Sequence, residues 1–282
     1  MSRREEIIAK AKALPQMPSV VQRIMAYLGK QDADVNELAK LIEYDPGLTV
    51  NVLRMANSAL FGGCGQIATV RDALFRLGMK RVYQMVIATG IAPRAKGAVK
   101  GYGLAPGDLL RHSVAVATGA ERLAQALALQ APPHTFTAGL LSNIGKTVLG
   151  EFLAVDAAPI MERAAQDTIS FEQAERRYLG IDHAELGALL LEHWSLPPAI
   201  VLCVRWRLDP CSAPVHDLGL DLIHLGHVMA TMSGIGGGED GLFYGVCQES
   251  IERLEATPEA MAAAMEMLLG DLAELEPIFL QL

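Results

Sequence analysis

Helix start signals recur along the chain, and apolar residues at helical spacing follow each of them. Three capping residues are followed three positions later by Glu or Gln: Asp34 with Glu37, Ser170 with Gln173, and Asp182 with Glu185. The alternation of apolar and polar residues that marks a half-buried strand is hard to find anywhere in the chain. The pattern therefore predicts an all-α fold.

The core of such a fold has to be built from aliphatic side chains. Hydrophobic residues make up 51% of the 282 residues and aromatic residues only 5%, a composition that favours packed helices over disorder. No apolar run approaches the roughly 18 residues needed to cross a bilayer, and the N-terminus is charged, which predicts neither membrane insertion nor export. Four cysteines are far apart in the sequence, which indicates reduced thiols in the cytoplasm: Cys64, Cys203, Cys211 and Cys247.

Charge is unevenly distributed along the chain. The formal net charge of −8 disfavours sequence-independent binding to nucleic acid. A basic segment has the opposite sign and contains Arg71, Arg76, Lys80, Arg81, Arg94, Lys96 and Lys100. Such a segment is typical of a solvated face, of a surface for an acidic partner, or of a dock for the chain's own acidic C-terminal helices. We expect an exposed interaction surface for a partner protein.

A stretch without helical period divides the chain. Residues 93–107 are rich in Gly, Pro and Lys, which predicts a linker between two helical lobes, residues 1–95 and 96–282. In the first lobe a helix is expected to begin at Thr69 and to end at Gly78. The second lobe opens with a long helix from Asp108 whose apolar stripe includes His112, so we expect this ring to be buried.

Two patterns suggest chemistry in the second lobe. Gly145-Lys146-Thr147 looks like the end of a phosphate-binding loop, but five residues separate Gly139 from Gly145 where that motif requires four, and the segment is patterned as a helix. Histidines on three helices could instead meet at a metal: His112, then His183 and His193, then His224 or His227. A divalent-metal hydrolase also needs carboxylates and a place for water.

Several blocks of sequence recur in the same order in a known family. Residues 137–146 read TAGLLSNIGK, close to the TAGLLHDIGK segment of the HD metal-dependent phosphohydrolase superfamily. The other blocks are Leu14-Pro15, Asp45-Pro46-Gly47-Leu48, residues 57–62 (NSALFG), residues 73–78, Asp182-His183 and residues 194–198 (WSLPP). Together they resemble the HDOD family, the HD-related output domain of bacterial signalling, over residues 14–232.

The resemblance carries over to individual positions. His112 matches the first histidine ligand, Ser142 and Asn143 stand at the His-Asp dyad, and His227 takes the place of the last aspartate. An amide bridges two cations poorly and Ser142 is too short to replace an imidazole, so activation of water has no source. The resemblance implies no catalytic residue, no metal and no cofactor. It leaves a vestigial polar pocket, to which Lys146, His183 and His193 would also belong.

The HDOD resemblance implies a non-catalytic signal-transduction output or scaffold protein that acts through contacts with signalling proteins on other chains. One alternative is a small-molecule sensor that binds a nucleotide or similar anion in the vestigial pocket, through Lys146, His112, His183 and Arg205. Another is a residual metal-dependent phosphohydrolase. The sequence does not determine the partner, the pathway or the oligomeric state.

Overall fold

The computed structural model describes residues 2–28, 34–57, 65–153, 167, 169–236, 238, 240 and 245–280. Within these ranges the chain is all-α, as the capping pattern predicts. The described residues contain no β-strand and one isolated β-bridge, between Val99 and Leu104. None of the described helices is long and apolar enough to cross a lipid bilayer. Residues 58–62 of the NSALFG block, and Cys64, lie outside the described residues.

The helices are numbered in chain order. The N-terminal ones are α1 (Arg3–Lys12), α2 (Ser19–Leu28), α3 (Val35–Glu43), α4 (Pro46–Ala56) and α5 (Val70–Ala95). The following ones are α6 (Asp108–Ala126), α7 (Thr135–Leu141), α8 (Phe171–Leu179), α9 (His183–His193), α10 (Pro198–Trp206), α11 (Leu218–Met232), α12 (Gln248–Leu254) and α13 (Pro258–Leu280). Residues 146–153 are also helical, and short 3-10 helices occur at Lys100–Tyr102 and Pro210–Ser212.

The chain separates into two compact units. The first unit comprises residues 1–14 and 94–272, and the second comprises residues 15–93 and 273–282. Each unit therefore contains two separate stretches of sequence. The division into lobes 1–95 and 96–282 stays a prediction about how the chain folds.

Local signals explain the helices of the second unit. The Asp34 carboxylate accepts two backbone N–H groups in the first turn of α3, at 2.8 and 3.1 Å. Asp45 accepts the N–H of Leu48 at 3.0 Å, and Pro46 takes the first helical position of α4. The faces of α2, α3 and α4 that point away from solvent bury Ile24, Leu38, Ile42, Leu48 and Val52.

Helix α5 breaks at Gly78. This glycine has φ 77° and ψ 154°, a conformation that is essentially restricted to glycine. Nothing lies within 4 Å of the place where a Cβ would stand, so the backbone conformation, and not crowding, requires glycine here. The expected break at Gly78 is present, but the helix resumes at once and continues through Pro93 to Ala95.

In the first unit, helix α1 packs against the start of α9. The Arg4 guanidinium donates to both carboxylate oxygens of Glu185, at 2.6 and 3.2 Å, and to the carbonyl oxygen of Gly180. Beneath these polar contacts Ile7 is fully buried and Ala11 nearly so. An apolar stripe and a set of ion pairs thus attach the N-terminal helix to this unit.

Helices α6, α7, α9, α10 and α11 form the interior of the first unit, and α6 packs against both α7 and α11. The apolar stripe expected on α6 is buried, including Leu109, His112, Val116 and Leu123. Nearly all of α11 is also buried, from Gly219 to Ala230. Polar side chains on these two helices therefore face other protein groups rather than water.

The stretch expected to be a linker is instead anchored in the first unit. Tyr102 is fully buried, Leu104 is 3% exposed, and Val99 and Leu104 pair through backbone hydrogen bonds. The Tyr102 hydroxyl makes a short hydrogen bond with the buried carboxyl group of Glu175. The prediction of a free linker at residues 93–107 is therefore wrong, because one aromatic anchor outweighs the local Gly and Pro content.

Residues 142–145 form a turn, although the sequence of this segment is patterned as a helix. At the end of this turn the backbones of Gly145 and His183 approach closely, since a Cβ at Gly145 would lie 2.0 Å from the carbonyl oxygen of His183. The glycine of the apparent phosphate-loop motif therefore serves helix packing. The same turn directs Ser142 and Asn143 into the interior.

Candidate functional site

A group of polar side chains lies in the interior of the first unit, and we call it the polar cluster. It brings together most of the predicted vestigial pocket, and each of these residues is at most 3% exposed: His112, Ser142, Asn143, Lys146, His183 and His227. Four further buried residues join it through hydrogen bonds or charge: Tyr102, Glu175, Arg207 and Asp240. The elements that carry them are α6, α8, α9, α11, the 3-10 helix Lys100–Tyr102, the turn at 142–145, the helical residues 146–153 and the segments that follow α10 and α11.

His112 and His227 form one end of the cluster. His112 Nδ1 lies 2.6 Å from the carbonyl oxygen of Ile235, so in a neutral ring this nitrogen carries the proton and donates it. His112 Nε2 then accepts from His227 Nδ1 at 3.2 Å. The two rings meet edge to face with their centroids 5.1 Å apart. Both rings are therefore fixed in one tautomer by hydrogen bonding.

Asn143, which the HDOD resemblance aligns with the dyad, contacts a buried arginine. Asn143 Nδ2 donates to Ser142 Oγ at 3.1 Å, and Asn143 Oδ1 accepts from Arg207 Nη2 at 2.9 Å. Arg207 is fully buried and also donates from Nη1 to the carbonyl oxygen of Val204 at 3.3 Å. The guanidinium group thus enters the interior directly after α10. Sequence reasoning missed this residue.

A second cation lies on the other side of the cluster. Lys146 Nζ donates to Asp240 Oδ2 at 2.6 Å, and both side chains are at most 2% exposed. The ammonium group also lies 4.9 Å from the centre of the Tyr102 ring, a favourable cation–π distance. Lys146 is therefore engaged by a carboxylate and by an aromatic face.

Glu175 joins His183 to the anchored Tyr102. One carboxyl oxygen accepts the backbone N–H of His183 at 3.0 Å and faces His183 Nδ1 at 2.7 Å. The other carboxyl oxygen meets the Tyr102 hydroxyl. Both oxygens of this buried carboxyl group are consequently occupied by protein groups.

Burial and the two cations keep the cluster histidines neutral. Burial, and then the positive charge of Lys146, lower the pKa of His112 to about 4. For His183 the pKa falls well below its ordinary value through burial, then through Arg207 and Lys146. Burial, His112 and Arg207 lower the pKa of His227 in the same direction. Burial raises the pKa of Glu175, so His183 and Glu175 meet as a neutral pair.

The residues present do not fit a hydrolytic metal centre. Asn143 offers a neutral oxygen that already accepts from Arg207, and the Asp240 carboxylate is bound by Lys146. A divalent cation would meet a guanidinium and an ammonium group in a low-dielectric interior, where like charges repel strongly. Among the described residues, the groups of three metal-ligand side chains lie elsewhere: His134, Cys203 and Asp217, and Cys211, Cys247 and Glu249.

Two other predicted residues lie apart from the polar cluster. His193 is the last residue of α9 and is half-buried, and none of the described hydrogen bonds joins it to the cluster. Arg205 lies on the surface side of α10, where its Nη2 pairs with Glu192 at 2.8 Å. The arginine that enters the cluster is the one two positions later.

The basic segment is divided between the units. Arg71, Arg76, Lys80 and Arg81 belong to the second unit, and Arg94, Lys96 and Lys100 belong to the first. Arg71, Lys80 and Lys100 are exposed, whereas the other four are half-buried. Arg94 stacks over the ring of the buried Trp194 at 5.0 Å, so this arginine contributes to packing.

An exposed aromatic ring accompanies the basic residues of the second unit. Phe75 is 66% exposed, and the Arg71 guanidinium lies 5.7 Å from the centre of its ring. Arginine and aromatic side chains are the residue types enriched where proteins bind other proteins. The sequence signal for Phe75 is a large apolar residue outside the buried stripe of α5, and sequence reasoning did not use it.

The all-α fold and a family match place this domain in the HD-like class of helical domains. Residues 14–210 match the model of the HDOD domain family. The match covers most of the chain, and the chain belongs to the HDOD family.

Proteins of similar structure come from several bacteria. An HDOD domain protein of unknown function from Geobacter sulfurreducens is 23% identical, with a TM-score of 0.71 over 98% of this chain and 97% of that one. A protein from Shewanella amazonensis SB2B, provisionally described as a phosphohydrolase, is 25% identical, with a TM-score of 0.64 over 93% of this chain and 97% of that one. A protein from Marinobacter aquaeolei VT8, provisionally assigned to signal transduction, is 21% identical, with a TM-score of 0.73 over 95% of this chain and 60% of that one.

A curated relative from Treponema pallidum (strain Nichols), described as uncharacterized, is 26% identical over 207 residues. The alignment covers 71% of this chain and 39% of the relative, so the chain spans about two fifths of that protein's length.

Proposed function

We propose that this HDOD protein is a non-catalytic signal-transduction module that acts by binding partner proteins. The observation that carries the proposal is the buried Arg207 guanidinium at the dyad position, 2.9 Å from Asn143 Oδ1. Its charge acts on His112, His183 and His227 alike, lowering the pKa of each. A fixed organic cation therefore takes the place where a hydrolase would hold its metal.

This arrangement provides neither the divalent charge nor the open coordination position that metal-dependent hydrolysis requires. A catalytic metal lowers the pKa of a bound water because the ion itself is a bare divalent charge with an open coordination position. A guanidinium group carries one delocalised charge, and this one donates its hydrogen bonds to protein oxygens. The polar cluster then serves as a hydrogen-bonded part of the core, and function moves to the surface.

Elemental analysis and a phosphodiesterase assay test the non-catalytic part of the proposal. The full chain is purified without chelator, assayed for Mn, Fe, Ni, Mg and Zn, and incubated with an aryl phosphodiester and each of these metals. We expect neither stoichiometric metal nor hydrolysis above the rate of a His112→Ala control. Metal bound in a one-to-one ratio, with hydrolysis that His112→Ala abolishes, would establish a residual phosphohydrolase instead.

The partner surface that we propose begins with Arg71 and Phe75. A guanidinium stacked on an exposed ring offers both a charge for an acidic group and an apolar face. Lys80 adds an exposed positive charge on the same helix. A surface whose sign opposes the net charge of the chain attracts an acidic partner most strongly at low salt.

Capture of partners from the native cell tests this surface. We expect the double variant Arg71→Glu with Phe75→Ala to lose the captured proteins without a change in unfolding midpoint, because both side chains are exposed. A matched control, Val215→Ala with Met232→Ala, removes two exposed apolar side chains of the first unit and should keep capture. Equal capture by wild type and the Arg71 and Phe75 variant would place the interaction elsewhere.

Lys96 and Lys100 form a separate proposed partner surface, which lies in the first unit. Reversal of these two charges separates a partner surface from an internal role, because a partner surface loses capture at constant stability. Arg94 is left out of this variant, since its loss would remove the stacking on Trp194 and lower stability by itself.

An anion sensor remains a second candidate, because Lys146 and the cluster histidines do lie together. Any anion would have to displace Asp240 from Lys146, which is a costly exchange of buried partners. A screen of nucleotides by thermal shift distinguishes the candidates: a shift with one nucleotide that Lys146→Met removes would favour the sensor.

A further inference from the structure

Cys211 and Cys247 meet at the surface of the first unit, although 36 positions separate them in the sequence. Their sulfur atoms lie 2.6 Å apart. Cys211 is exposed on the short 3-10 helix Pro210–Ser212, and Cys247 is half-buried directly before α12. Two sulfurs that do not share a bond normally keep a van der Waals separation of about 3.6 Å, so this pair is already close to bonding distance.

The spacing favours a disulfide over a metal. In a tetrahedral zinc site, with zinc–sulfur bonds of about 2.3 Å, two thiolates lie roughly 3.8 Å apart, so this pair would have to separate. A disulfide bond of about 2.05 Å needs a further approach of only about half an ångström. Glu249 lies 3.4 Å from the Cys247 sulfur and accepts from it, but a carboxylate is not needed for a disulfide.

The two thiols border a groove that a small reagent can reach. The groove has a volume of about 520 Å³, and its walls include Glu172, Arg176, Cys211, Cys247 and Glu249. Cys211, which lines this groove, is exposed to solvent. A low-molecular-weight disulfide therefore has access to the sulfur atoms without unfolding of the protein.

Both cysteines connect to the backbone of Arg207. The Cys247 N–H donates to His224 Nε2 at 2.9 Å, and His224 Nδ1 donates to the carbonyl oxygen of Arg207 at 2.7 Å. Cys211 follows Arg207 by four residues along the chain. A bond between the sulfurs would close a covalent ring of residues 211–247, and the hydrogen bonds through His224 would join that ring to the backbone of Arg207.

We propose that Cys211 and Cys247 form a modification site. A low-molecular-weight disulfide converts these two neighbouring thiols reversibly into an intramolecular disulfide. One thiol loses its proton and attacks the reagent RSSR, which forms a protein–SR mixed disulfide and releases RS⁻. The second thiol loses its proton and attacks the protein sulfur of the mixed disulfide, which expels the second RS⁻. Two thiols of the reagent are produced for each bridge formed, and excess thiol reverses the reaction.

The acidity of the pair sets the conditions of the reaction. Partial desolvation, and then the hydrogen bonds with Cys247 and Glu249, raise the pKa of Cys211 to about 12, so little thiolate is present at neutral pH. The thiolate is the attacking species, and the rate of bridge formation therefore rises with pH. The proposal is independent of the partner surface around Arg71 and of whether the polar cluster is catalytic.

The experiment uses the full chain, fully reduced and then incubated with glutathione disulfide at mildly alkaline pH. We expect loss of two of the four thiols, a mass decrease of about two units, and one linked peptide pair that contains Cys211 and Cys247. Closing this loop should raise the unfolding midpoint by roughly 5–15 °C, and dithiothreitol should reverse both changes.

Single-residue variants distinguish a built pair from general thiol reactivity. Cys211→Ser and Cys247→Ser each lack the resolving thiol and should stop at a stable glutathione adduct, whereas the matched control Cys203→Ser should still form the bridge. Adducts on wild-type protein without the linked peptide would overturn the proposal. Zinc bound in a one-to-one ratio that blocks oxidation and needs both cysteines would also overturn it, in favour of a metal site.

Discussion

Arg207 carries a permanent positive charge into the interior of the first unit, and its neighbours explain how this charge is tolerated. Arginine stays protonated at any physiological pH, so it cannot escape the cost of burial by losing its proton. Asn143 Oδ1 and the carbonyl oxygen of Val204 accept two of its N–H groups. The surrounding histidines adapt instead, and remain neutral.

Loss of this guanidinium should destabilise the first unit. We expect Arg207→Met to lower the free energy of unfolding by about 2–4 kcal/mol, because Asn143 Oδ1 loses its donor in a buried site. Arg205→Met, two residues earlier and paired only with Glu192 at the surface, should cost less than about 1 kcal/mol. Both tryptophans, Trp194 and Trp206, lie in the first unit, so tryptophan fluorescence in urea reports on it. Equal effects of the two variants would contradict the assignment.

Acid should weaken the fold through its buried histidines. The folded-state pKa values of His112, His183, His224 and His227 are lowered from 6.5. Below about pH 6.5 the unfolded chain therefore binds protons that the folded chain does not, and stability falls as pH falls. Glu175 and Glu172, whose pKa values are raised by burial, act in the opposite direction and offset part of the histidine effect.

The net change in the free energy of unfolding should be a loss of roughly 2–4 kcal/mol between about pH 7 and about pH 5.5. Urea denaturation at both pH values measures it. A constant or rising stability on acidification would show that these rings are protonated in the folded protein.

The sequence predicted the histidines of the cluster better than its arginine. The helical period places His112 in the apolar stripe of α6, and burial of a residue in such a stripe depends only on local spacing. Arg205 and Arg207 both follow the apolar run of α10, and spacing alone does not say which one turns inward. That choice depends on Asn143, which is 64 positions away in the sequence.

At the scale of elements, the helices that local signals define were predicted well. Asp34, Asp45 and Asp182 each accept the backbone N–H groups that their capping role requires. Errors occurred where a distant contact overrides local preference. Tyr102 is held by Glu175, and the turn at 142–145 ends where Gly145 packs closely against His183, so both depend on residues distant in the sequence.

The break in α5 should be sensitive to a single methyl group. We expect Gly78→Ala to destabilise the second unit by about 1–3 kcal/mol, because alanine disfavours the positive φ. The added methyl group meets no other atom within 4 Å, so the cost comes from the backbone conformation alone. Gly97→Ala is the matched control, because that position is equally open and has no positive φ, and it should change little. Hydrogen exchange of the amides of α2 to α4 measures the second unit directly. A neutral Gly78→Ala would mean that the backbone relaxes there.

At the scale of the whole molecule, the N-terminal helix belongs with a unit whose remaining residues begin about eighty positions later. Helix α1 contributes the fully buried Ile7 and the Arg4–Glu185 ion pair. A boundary drawn at residue 95 would separate this helix from the unit that it stabilises. The interruption of one unit by another cannot be seen in local sequence patterns, because it depends on which helices pack together.

Removal of residues 2–14 should lower the free energy of unfolding of the first unit by roughly 2–5 kcal/mol, mainly through lost burial of Ile7 and Ala11. Ile7→Ala alone should cost about 2–4 kcal/mol, whereas Ile8→Ala, at the neighbouring half-buried isoleucine, should cost less. Tryptophan fluorescence again provides the readout. An unaffected first unit in the truncated chain would show that α1 is dispensable.

The buried Arg207 also limits how this domain could change during evolution. Replacement of Asn143 by Asp would restore a carboxylate at the dyad, but that carboxylate would lie beside the guanidinium and form an internal salt bridge with it. This substitution alone would therefore not favour metal binding, and removal of Arg207 alone would destabilise the fold. A carboxylate at position 143 would therefore be free to bind a cation only if Arg207 changed as well, so packing couples the two positions.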